Sequence, residues 1–217
     1  MDSWAAAANA EGPSRGARKR AAILEAAQQV FFANGFVGAS MDQVAATASV
    51  SKQTVYKHFS DKEALFREVV THVVRARDGG IATDFLSTGD GPIGERLRSF
   101  ARHFLKGVMQ PNVLKLRRLV IGEAGRFPEL GQSFYDLGPK RAARQLALAL
   151  RDTAAQQGVS LEDPQLAAEH LLSLILWMPL NQAMLVGDEN SFTDAALDRY
   201  ADVGVTAFLR AYGFADS

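Results

Sequence analysis

The chain has 217 residues, 47% of them hydrophobic, and 24 Lys and Arg balance 24 Asp and Glu to a formal net charge of zero. This length and apolar content suffice for one or two globular domains with buried cores. The absence of cysteine excludes disulfides, a thiol nucleophile and thiolate metal sites. The longest apolar run, Leu174 to Leu180, is far below the roughly 18 residues of a membrane span, so we expect a cytoplasmic protein without a membrane partner.

The charge is unevenly distributed along the chain. Residues 1–77 hold 10 Lys and Arg against 7 Asp and Glu (10 − 7 = +3), whereas residues 78–217 hold 14 against 17 (14 − 17 = −3).

Residues 1–16 are rich in Ala, Gly, Ser and Pro, which predicts a disordered tail with a basic end. The basic cluster consists of Arg15, Arg18, Lys19 and Arg20. It can be an arm that follows DNA phosphates or enters a minor groove, or it can be a solvated helix start.

A first helix is predicted before residue 35. Its apolar residues recur at helical spacing, at Ile23, Ala26, Ala27, Val30 and Phe31. Asn34-Gly35 is typical of a C-terminal cap. We expect this helix to support the segment that follows it.

Residues 40–59 predict two short helices joined by a tight turn. Ser40 can cap the first helix and form a capping box with Gln43. Ser51 can cap the second helix, on which Val55 and Phe59 are the large apolar side chains that face the core. The other side chains of the second helix therefore face outward.

That outward face carries hydrogen-bond donors and no acidic residue between residues 51 and 60. Its members are Lys52, Gln53, Thr54, Tyr56, Lys57 and His58. Gln and Thr can bind base edges in the major groove, whereas Lys and Tyr reach phosphate oxygens. We therefore predict a helix-turn-helix that binds double-stranded DNA through these residues together with Ser40 and Ser51. An ordinary helical hairpin with a solvated polar face is the alternative.

Residues 54–65, Thr-Val-Tyr-Lys-His-Phe-Ser-Asp-Lys-Glu-Ala-Leu, resemble the signature of TetR-family transcriptional repressors. Ser49 departs from the pattern, because relatives usually have Gly at this turn, where the backbone tends to positive φ. That conformation costs a non-glycine residue about 1 kcal/mol or more. The resemblance implies an operator-binding homodimer in which Lys62, in the first turn of the next helix, meets a phosphate.

The rest of the chain is predicted to be helical, with Gly and Pro at the breaks. Ser60 and Glu63 indicate a capping box for a connecting helix. Residues 118–130, followed by Phe134-Tyr135, resemble the C-terminal domain of an AefR-like subgroup of the family. The predicted fold is therefore all-α, with a helix-turn-helix DNA-binding domain over residues 17–62 and a larger ligand-binding and dimerisation domain over residues 63–217.

The last two helices are predicted to form a dimer interface. A DNA reader of this size gains specificity by presenting two copies to two half-sites, and the resemblance implies that these helices pair with those of a partner. The predicted interface residues are Leu171, Leu174, Ile175, Leu197, Tyr200, Ala201, Gly204 and Phe208. An apolar stripe of the internal core is the alternative.

The larger domain also holds candidates for an apolar ligand pocket. They are Phe85, His103, Phe104, Phe127, Phe134, Tyr135, Trp177 and Met178, although aromatic residues at helical spacing are usually core.

The histidines lack metal-like spacing, and the chain has neither a Gly-x-Ser-x-Gly elbow nor a phosphate-binding glycine loop. We therefore predict that the protein is not an enzyme and has no cofactor or metal. We expect a transcriptional regulator, and we expect a small apolar or amphipathic effector to release it from its operator. A helical ligand-binding dimer without DNA binding and a helical enzyme are the other possibilities.

Overall fold

The computed structural model describes residues 14–78, 91–186 and 192–215, and these ranges contain α-helices joined by turns. The helices are α1 (Arg15–Gly38), α2 (Met41–Thr47), α3 (Lys52–His58), α4 (Lys62–Asp78), α5 (Ile93–Val108), α6 (Pro111–Glu123), α7 (Pro128–Leu137), α8 (Pro139–Gln157), α9 (Pro164–Val186) and α10 (Asp194–Tyr212). The predicted all-α class is confirmed. The predicted tail as far as residue 13, and Phe85 of the predicted pocket, lie outside the described residues.

The chain divides into two compact units, Met1–Val69 and Val70–Ser217. The division falls inside α4, further along the chain than the predicted boundary at residue 62. Since α4 is one continuous helix, its first half belongs to the first unit and its second half to the second unit.

Three phenylalanines form the centre of the first unit. Phe31 and Phe36 of α1 and Phe66 of α4 are buried, and their ring centroids lie 5.3 to 5.9 Å apart. Two of these ring pairs are edge to face, a favourable geometry for aromatic rings. These rings hold α4 against α1. Helix α2 packs against α1, and α3 packs against α2.

The first helix changes course at the predicted cap. Gly35 has φ 69° and ψ 176°, which are not helical values, and a last helical turn follows it to Gly38. A positive φ at this position favours glycine. The prediction that the regular helix ends at Asn34-Gly35 is therefore confirmed, but the chain makes one more turn before α2.

Asp61, and not Ser60, caps α4. Asp61 Oδ1 accepts a hydrogen bond from the Ala64 N–H (2.6 Å), and the Ser60 hydroxyl donates to Asp61 Oδ2 (2.8 Å). The predicted Ser60–Glu63 capping box is therefore wrong, because the helix begins one residue later than expected. The Ala64 N–H, with the Ser60 hydroxyl second, lowers the pKa of Asp61 below its ordinary value.

The second unit is built around α5, α8, α9 and α10. Its buried centre includes Leu97, Phe100, Leu146, Leu171, Ile175 and Phe208. The chain leaves α8 and α10 through glycines in the left-handed region, Gly158 (φ 65°) and Gly213 (φ 72°), in agreement with the expectation that Gly stands at breaks between helices.

A row of polar contacts joins α5 to α10. Arg102 donates two hydrogen bonds to the Asp202 carboxylate (2.7 and 2.6 Å), and Lys106 lies 2.9 Å from Asp198 Oδ1. One turn away from Arg102, Arg98 donates to the Thr206 hydroxyl (3.2 Å). The regular four-residue steps on both helices fix the register of α10 on α5.

Candidate nucleic-acid interface and ligand cavity

The turn between α2 and α3 is closed by the backbone. Ser49 has φ 53°, the Ser49 N–H donates to the Ala46 carbonyl (3.1 Å), and the Val50 N–H donates to the Ala45 carbonyl (3.0 Å). These two bonds are those of a Schellman motif, in which the left-handed residue is usually glycine. The positive φ expected at Ser49 is therefore confirmed.

Both short helices begin with the predicted caps. The Gln43 N–H donates to Ser40 Oγ (3.2 Å) and the Ser40 N–H donates to Gln43 Oε1 (2.8 Å), which is the complete capping box. In α3 the Thr54 N–H donates to Ser51 Oγ (3.2 Å). The Thr54 hydroxyl lies 2.8 Å from the same oxygen, so Thr54 also takes part in the cap.

The two faces of α3 differ in the way that the sequence predicts. Val55 and Phe59 are buried, and they anchor the helix to the first unit. Gln53, Tyr56 and Lys57 are exposed, and 45% of Tyr56 is accessible. Thr54 and His58 are partly buried at the edges of this surface.

Lys52 is held by a neighbouring helix. Its Nζ lies 2.8 Å from Oδ1 of Asp42, in the first turn of α2. The hydrogen bond to Asp42, with the carboxylate charge second, raises the pKa of Lys52. The sequence contains no acidic residue near Lys52 in α3, and the approach of α2 supplies one.

Lys62 points to the connection between α1 and α2. Its Nζ donates to the carbonyls of Val37 (3.3 Å) and Ala39 (3.1 Å), and it stands 4.7 Å from the centroid of the Phe36 ring. The sequence resemblance implies a phosphate contact for this residue. In the structure its ammonium group ties the start of α4 to the end of α1, and the phosphate contact stays a prediction.

The basic cluster near the start of the chain is helical. Ser14 caps α1 by accepting from the Ala17 N–H (3.2 Å), so Arg15, Arg18 and Lys19 are exposed in the first turns of α1. These residues therefore lie on a helix and not on an extended segment, and their contact with DNA stays a prediction. Arg20 forms an ion pair with Glu68 and lies 5.3 Å from the Phe59 ring centroid, so it contributes to the packing of the first unit.

The second unit contains a mostly apolar cavity of about 520 Å³. It is lined by Phe104, Val108, Arg117, Ile121, Pro139, Leu172, Ser173, Leu176, Trp177, Leu180, Asn181, Met184 and Leu185. This volume lies within the range of small-molecule sites, roughly 300 to 1,000 Å³. Trp177 is 68% exposed, so the cavity reaches the surface of the protomer beside α9.

Of the predicted pocket residues, Phe104 and Trp177 line this cavity. His103 lines a separate polar depression near Lys106 and Gln110. The other described candidates, Phe127, Phe134, Tyr135 and Met178, are not among the lining residues. Phe134 is buried beneath Arg117, whereas Tyr135 and Met178 are exposed on the outside of their helices.

The predicted pocket residues did not include the polar side chains among the described lining residues, Arg117, Ser173 and Asn181. Ser173 and Asn181 are each four residues from Trp177 on α9, so helical spacing could have placed them on the same face as that candidate. Arg117 comes from α6, and its approach to α9 depends on the tertiary fold.

The described ranges contain no group of three or more histidine, aspartate or glutamate side chains that could hold a metal ion. No described helix is both long enough and apolar enough to cross a membrane.

Family models match both parts of the chain. Residues 23–69 match the bacterial regulatory proteins of the tetR family, and residues 95–214 match the C-terminal domain of AefR-like transcriptional repressors. The second match alone covers more than half of the chain. The chain belongs to the TetR family of transcriptional regulators. Regulators of this family bind operator DNA and function as dimers.

Curated TetR-family relatives match over part of the chain. The transcriptional repressor TetR of Mycobacteroides abscessus is 37% identical over 81 residues, which are 35% of this chain and 43% of the relative. The transcriptional activator FasR of Mycolicibacterium smegmatis is 35% identical over 86 residues, which are 40% of this chain and 38% of the relative. Each match therefore spans less than half of the relative's length.

Solved structures are similar over nearly the whole chain. A TetR-family regulator from Mesorhizobium loti is 39% identical, with a TM-score of 0.81, and the match covers 92% of this chain and 99% of that one. The flavonoid-responsive regulator FrrA is 34% identical, with a TM-score of 0.75, over 89% of this chain and 96% of its own. These relatives are regulators, and the chain is a transcriptional regulator and not an enzyme.

Most of the predicted interface residues of this TetR-family chain pack inside one protomer. Leu171, Ile175, Leu197, Ala201, Gly204 and Phe208 are buried between α9, α10 and the rest of the second unit. A Cβ added to Gly204 would lie 2.7 Å from Ile175 Cγ2, so this glycine lets α10 approach α9 of the same chain. These six residues therefore belong to the internal core, the alternative interpretation of the apolar stripe.

Other residues of α9 and α10 face outward. Leu174 and Tyr200 of the predicted interface are exposed, and so are Met178 and Val203, which the prediction omitted. They lie on the faces of α9 and α10 opposite to the core. We call these four residues, Leu174, Met178, Tyr200 and Val203, the outward set of the last two helices.

Proposed function

We propose that this TetR-family regulator is a cytoplasmic homodimer that represses transcription by binding an operator and that a small apolar or amphipathic effector releases it. The observation that carries the first part is the exposed surface of α3, with Gln53, Tyr56 and Lys57 on one side and buried anchors on the other. A helix exposed in this way can enter the major groove, where base edges are distinguishable.

The side chains of α3 have different roles in this proposal. Gln53 is exposed and can form a bidentate contact with an adenine edge. Tyr56 and Lys57 reach phosphate oxygens and fix the position of the helix, as do the amide groups at the starts of α2 and α3. Thr54 and His58, at the edges of the surface, contact the groove walls. Lys52 is oriented by Asp42, so its contact with DNA depends on α2.

Dimerisation uses the outward set on α9 and α10. Exposed apolar side chains in a row are typical of interaction surfaces, and a two-fold axis makes one patch serve both protomers. The dimer presents two copies of α3 to half-sites about 34 to 36 Å apart. Loss of this spacing lowers DNA affinity without a change in either copy of α3.

The effector site is the cavity between α5, α6, α8 and α9 of the second unit. Its walls are mostly apolar, and FrrA, which is similar over most of its length, is named for its response to flavonoids. Bound effector favours a dimer in which α4 holds the two DNA-binding surfaces at a spacing that does not match the operator. The factor by which the effector lowers DNA affinity is set by the ratio of its affinities for this state and for the DNA-binding state.

The DNA-binding proposal is tested by selecting duplexes from a random library on the wild-type dimer and measuring affinity by fluorescence anisotropy. Gln53→Ala is expected to reduce discrimination at one base position by about ten-fold. Tyr56→Ala is expected to weaken binding to all selected duplexes alike. Tyr135→Ala, which removes an exposed tyrosine of the second unit, is the matched control and leaves affinity unchanged.

Two results contradict this assignment. One is a selection that enriches no sequence. The other is wild-type affinity and preference in both the Gln53 and the Tyr56 variants, which would mean that another surface binds the duplex.

A further inference from the structure

Among the described residues that line the cavity of the second unit, the charged side chain is Arg117. The cavity walls are apolar apart from Arg117, Ser173 and Asn181, and none of the lining residues in the described ranges is acidic. A guanidinium group in a mostly apolar wall interacts more strongly with an anion than it would in bulk water.

Arg117 is held in place by an aromatic ring. Its Cζ lies 5.1 Å from the ring centroid of Phe134, which is buried. This geometry is that of a cation–π contact, and it orients the plane of the guanidinium group before any ligand binds. A planar, oriented donor group is suited to a carboxylate or another planar oxyanion.

The polar groups of α9 complement this donor. The Ser173 hydroxyl donates to the Glu169 carbonyl (2.7 Å), and Asn181 Nδ2 donates to the Trp177 carbonyl (2.8 Å). The Ser173 oxygen and Asn181 Oδ1 therefore remain as acceptors for a ligand hydroxyl. Trp177, midway between these residues in sequence, supplies an aromatic surface on the same face of α9.

We infer that the effector is an aromatic or other apolar acid, whose anionic oxygen binds Arg117 and whose remaining surface lies against the apolar walls, with hydroxyl substituents accepted at Ser173 and Asn181. The inference rests on the proposed function, because it gives the chemical class of the ligand for the proposed effector site. Arg117 is then the residue that selects acids over neutral molecules of the same shape.

Two fluorescent probes with one scaffold test this selection. 1-Anilinonaphthalene-8-sulfonate carries an anionic group, and N-phenyl-1-naphthylamine is the same molecule without it. Dissociation constants of both probes are measured on the full-length protein and on Arg117→Met, which keeps the length of the side chain and removes the charge. Arg126→Met is the matched control, since Arg126 also lies over an aromatic ring, Phe127 (5.4 Å), but does not line the cavity.

The Arg117→Met change is expected to weaken binding of the sulfonate by about ten-fold or more, the usual size of a charge-assisted hydrogen bond. Binding of the neutral probe should change by less than about two-fold, because its contacts are apolar. Arg117→Lys keeps the charge and should restore most of the sulfonate affinity. Arg126→Met should leave both affinities at the wild-type level.

Equal weakening of both probes by Arg117→Met would overturn the inference, since it would give Arg117 a structural role in the cavity. Unchanged sulfonate binding would overturn it as well.

A cavity-filling variant, Leu176→Trp, separates the inference from the effector-site proposal. Loss of both probes in this variant shows that they bind in the cavity, whereas unchanged binding of both would refute the effector site itself. Thermal unfolding followed by circular dichroism confirms that each variant is folded.

Discussion

Replacing Lys62 by methionine distinguishes a structural link from a phosphate contact. In the structure the Lys62 ammonium donates to two carbonyls, 3.1 and 3.3 Å away, and stands 4.7 Å from the Phe36 ring centroid. Methionine keeps the apolar stem and removes the charge and both hydrogen bonds. Because Lys62 is partly buried and the two carbonyls can be hydrated in the variant, we expect a loss of about 1–2 kcal/mol in the free energy of unfolding.

The decisive assay is the salt dependence of DNA affinity. Log K for DNA binding falls as log salt concentration rises, and each phosphate contact adds about 0.9 to the magnitude of this slope. The loss of one contact from each protomer of a dimer therefore lowers the magnitude of the slope by about 1.8. If Lys62 acts through its contacts with Val37 and Ala39, Lys62→Met weakens binding at every salt concentration by a similar factor. The slope then stays at the wild-type value.

Lys57→Met is the control for this assay. Lys57 is exposed on α3, so its loss is expected to lower the slope and to leave the stability of the protein unchanged. A lowered slope with unchanged stability in Lys62→Met would refute the structural role, and it would return Lys62 to the phosphate contact that the sequence implies.

Three further predictions concern stability. Ser49→Gly should raise the free energy of unfolding by about 1 kcal/mol, since Ser49 has φ 53°. If denaturant titration gives a lower free energy of unfolding for this variant than for the wild type, the Ser49 conformation carries no strain. Gly204→Ala should cost about 1–3 kcal/mol, because its Cβ would lie 2.7 Å from Ile175 Cγ2, whereas Gly125→Ala, with no atom within 4 Å, should show no such loss in the same assay. The pKa of Asp61 is lowered in the folded state, so its contribution to stability is complete above its unfolded pKa of about 4 and is lost as the pH falls through the lower folded value; an Asp61→Asn variant that loses as much stability in acid as the wild type would contradict this assignment.

Several features of the fold could be predicted because their causes are local. The caps at Ser40 and Ser51 and the left-handed residue at Ser49 depend on hydrogen bonds that span three to five residues of the chain. The buried and exposed faces of α3 follow from the spacing of Val55 and Phe59. The Ser60 cap failed for an equally local reason, since Asp61 also has an acceptor side chain and stands one position closer to the helix.

Other features depended on which helices meet. The Lys52–Asp42 pair joins two helices, and the Lys62 contacts join residues more than twenty positions apart. The cavity combines residues of α5, α6, α8 and α9. For this reason the mostly aromatic set predicted from the sequence included two of its lining residues and omitted Arg117. An apolar stripe does not by itself specify its partner, and most of the predicted interface residues proved to be core for this reason.

The sequence by itself determined the class of fold, the positions of most helices and the family, because helix periodicity, caps and the residues of α3 are written in short segments. The tertiary structure alone decided which stripe is internal, where the cavity lies and which cations are held by other groups. The physical reason is that burial and ion pairing depend on distances between segments that are remote in sequence. Local preference leaves those distances open, and packing sets them.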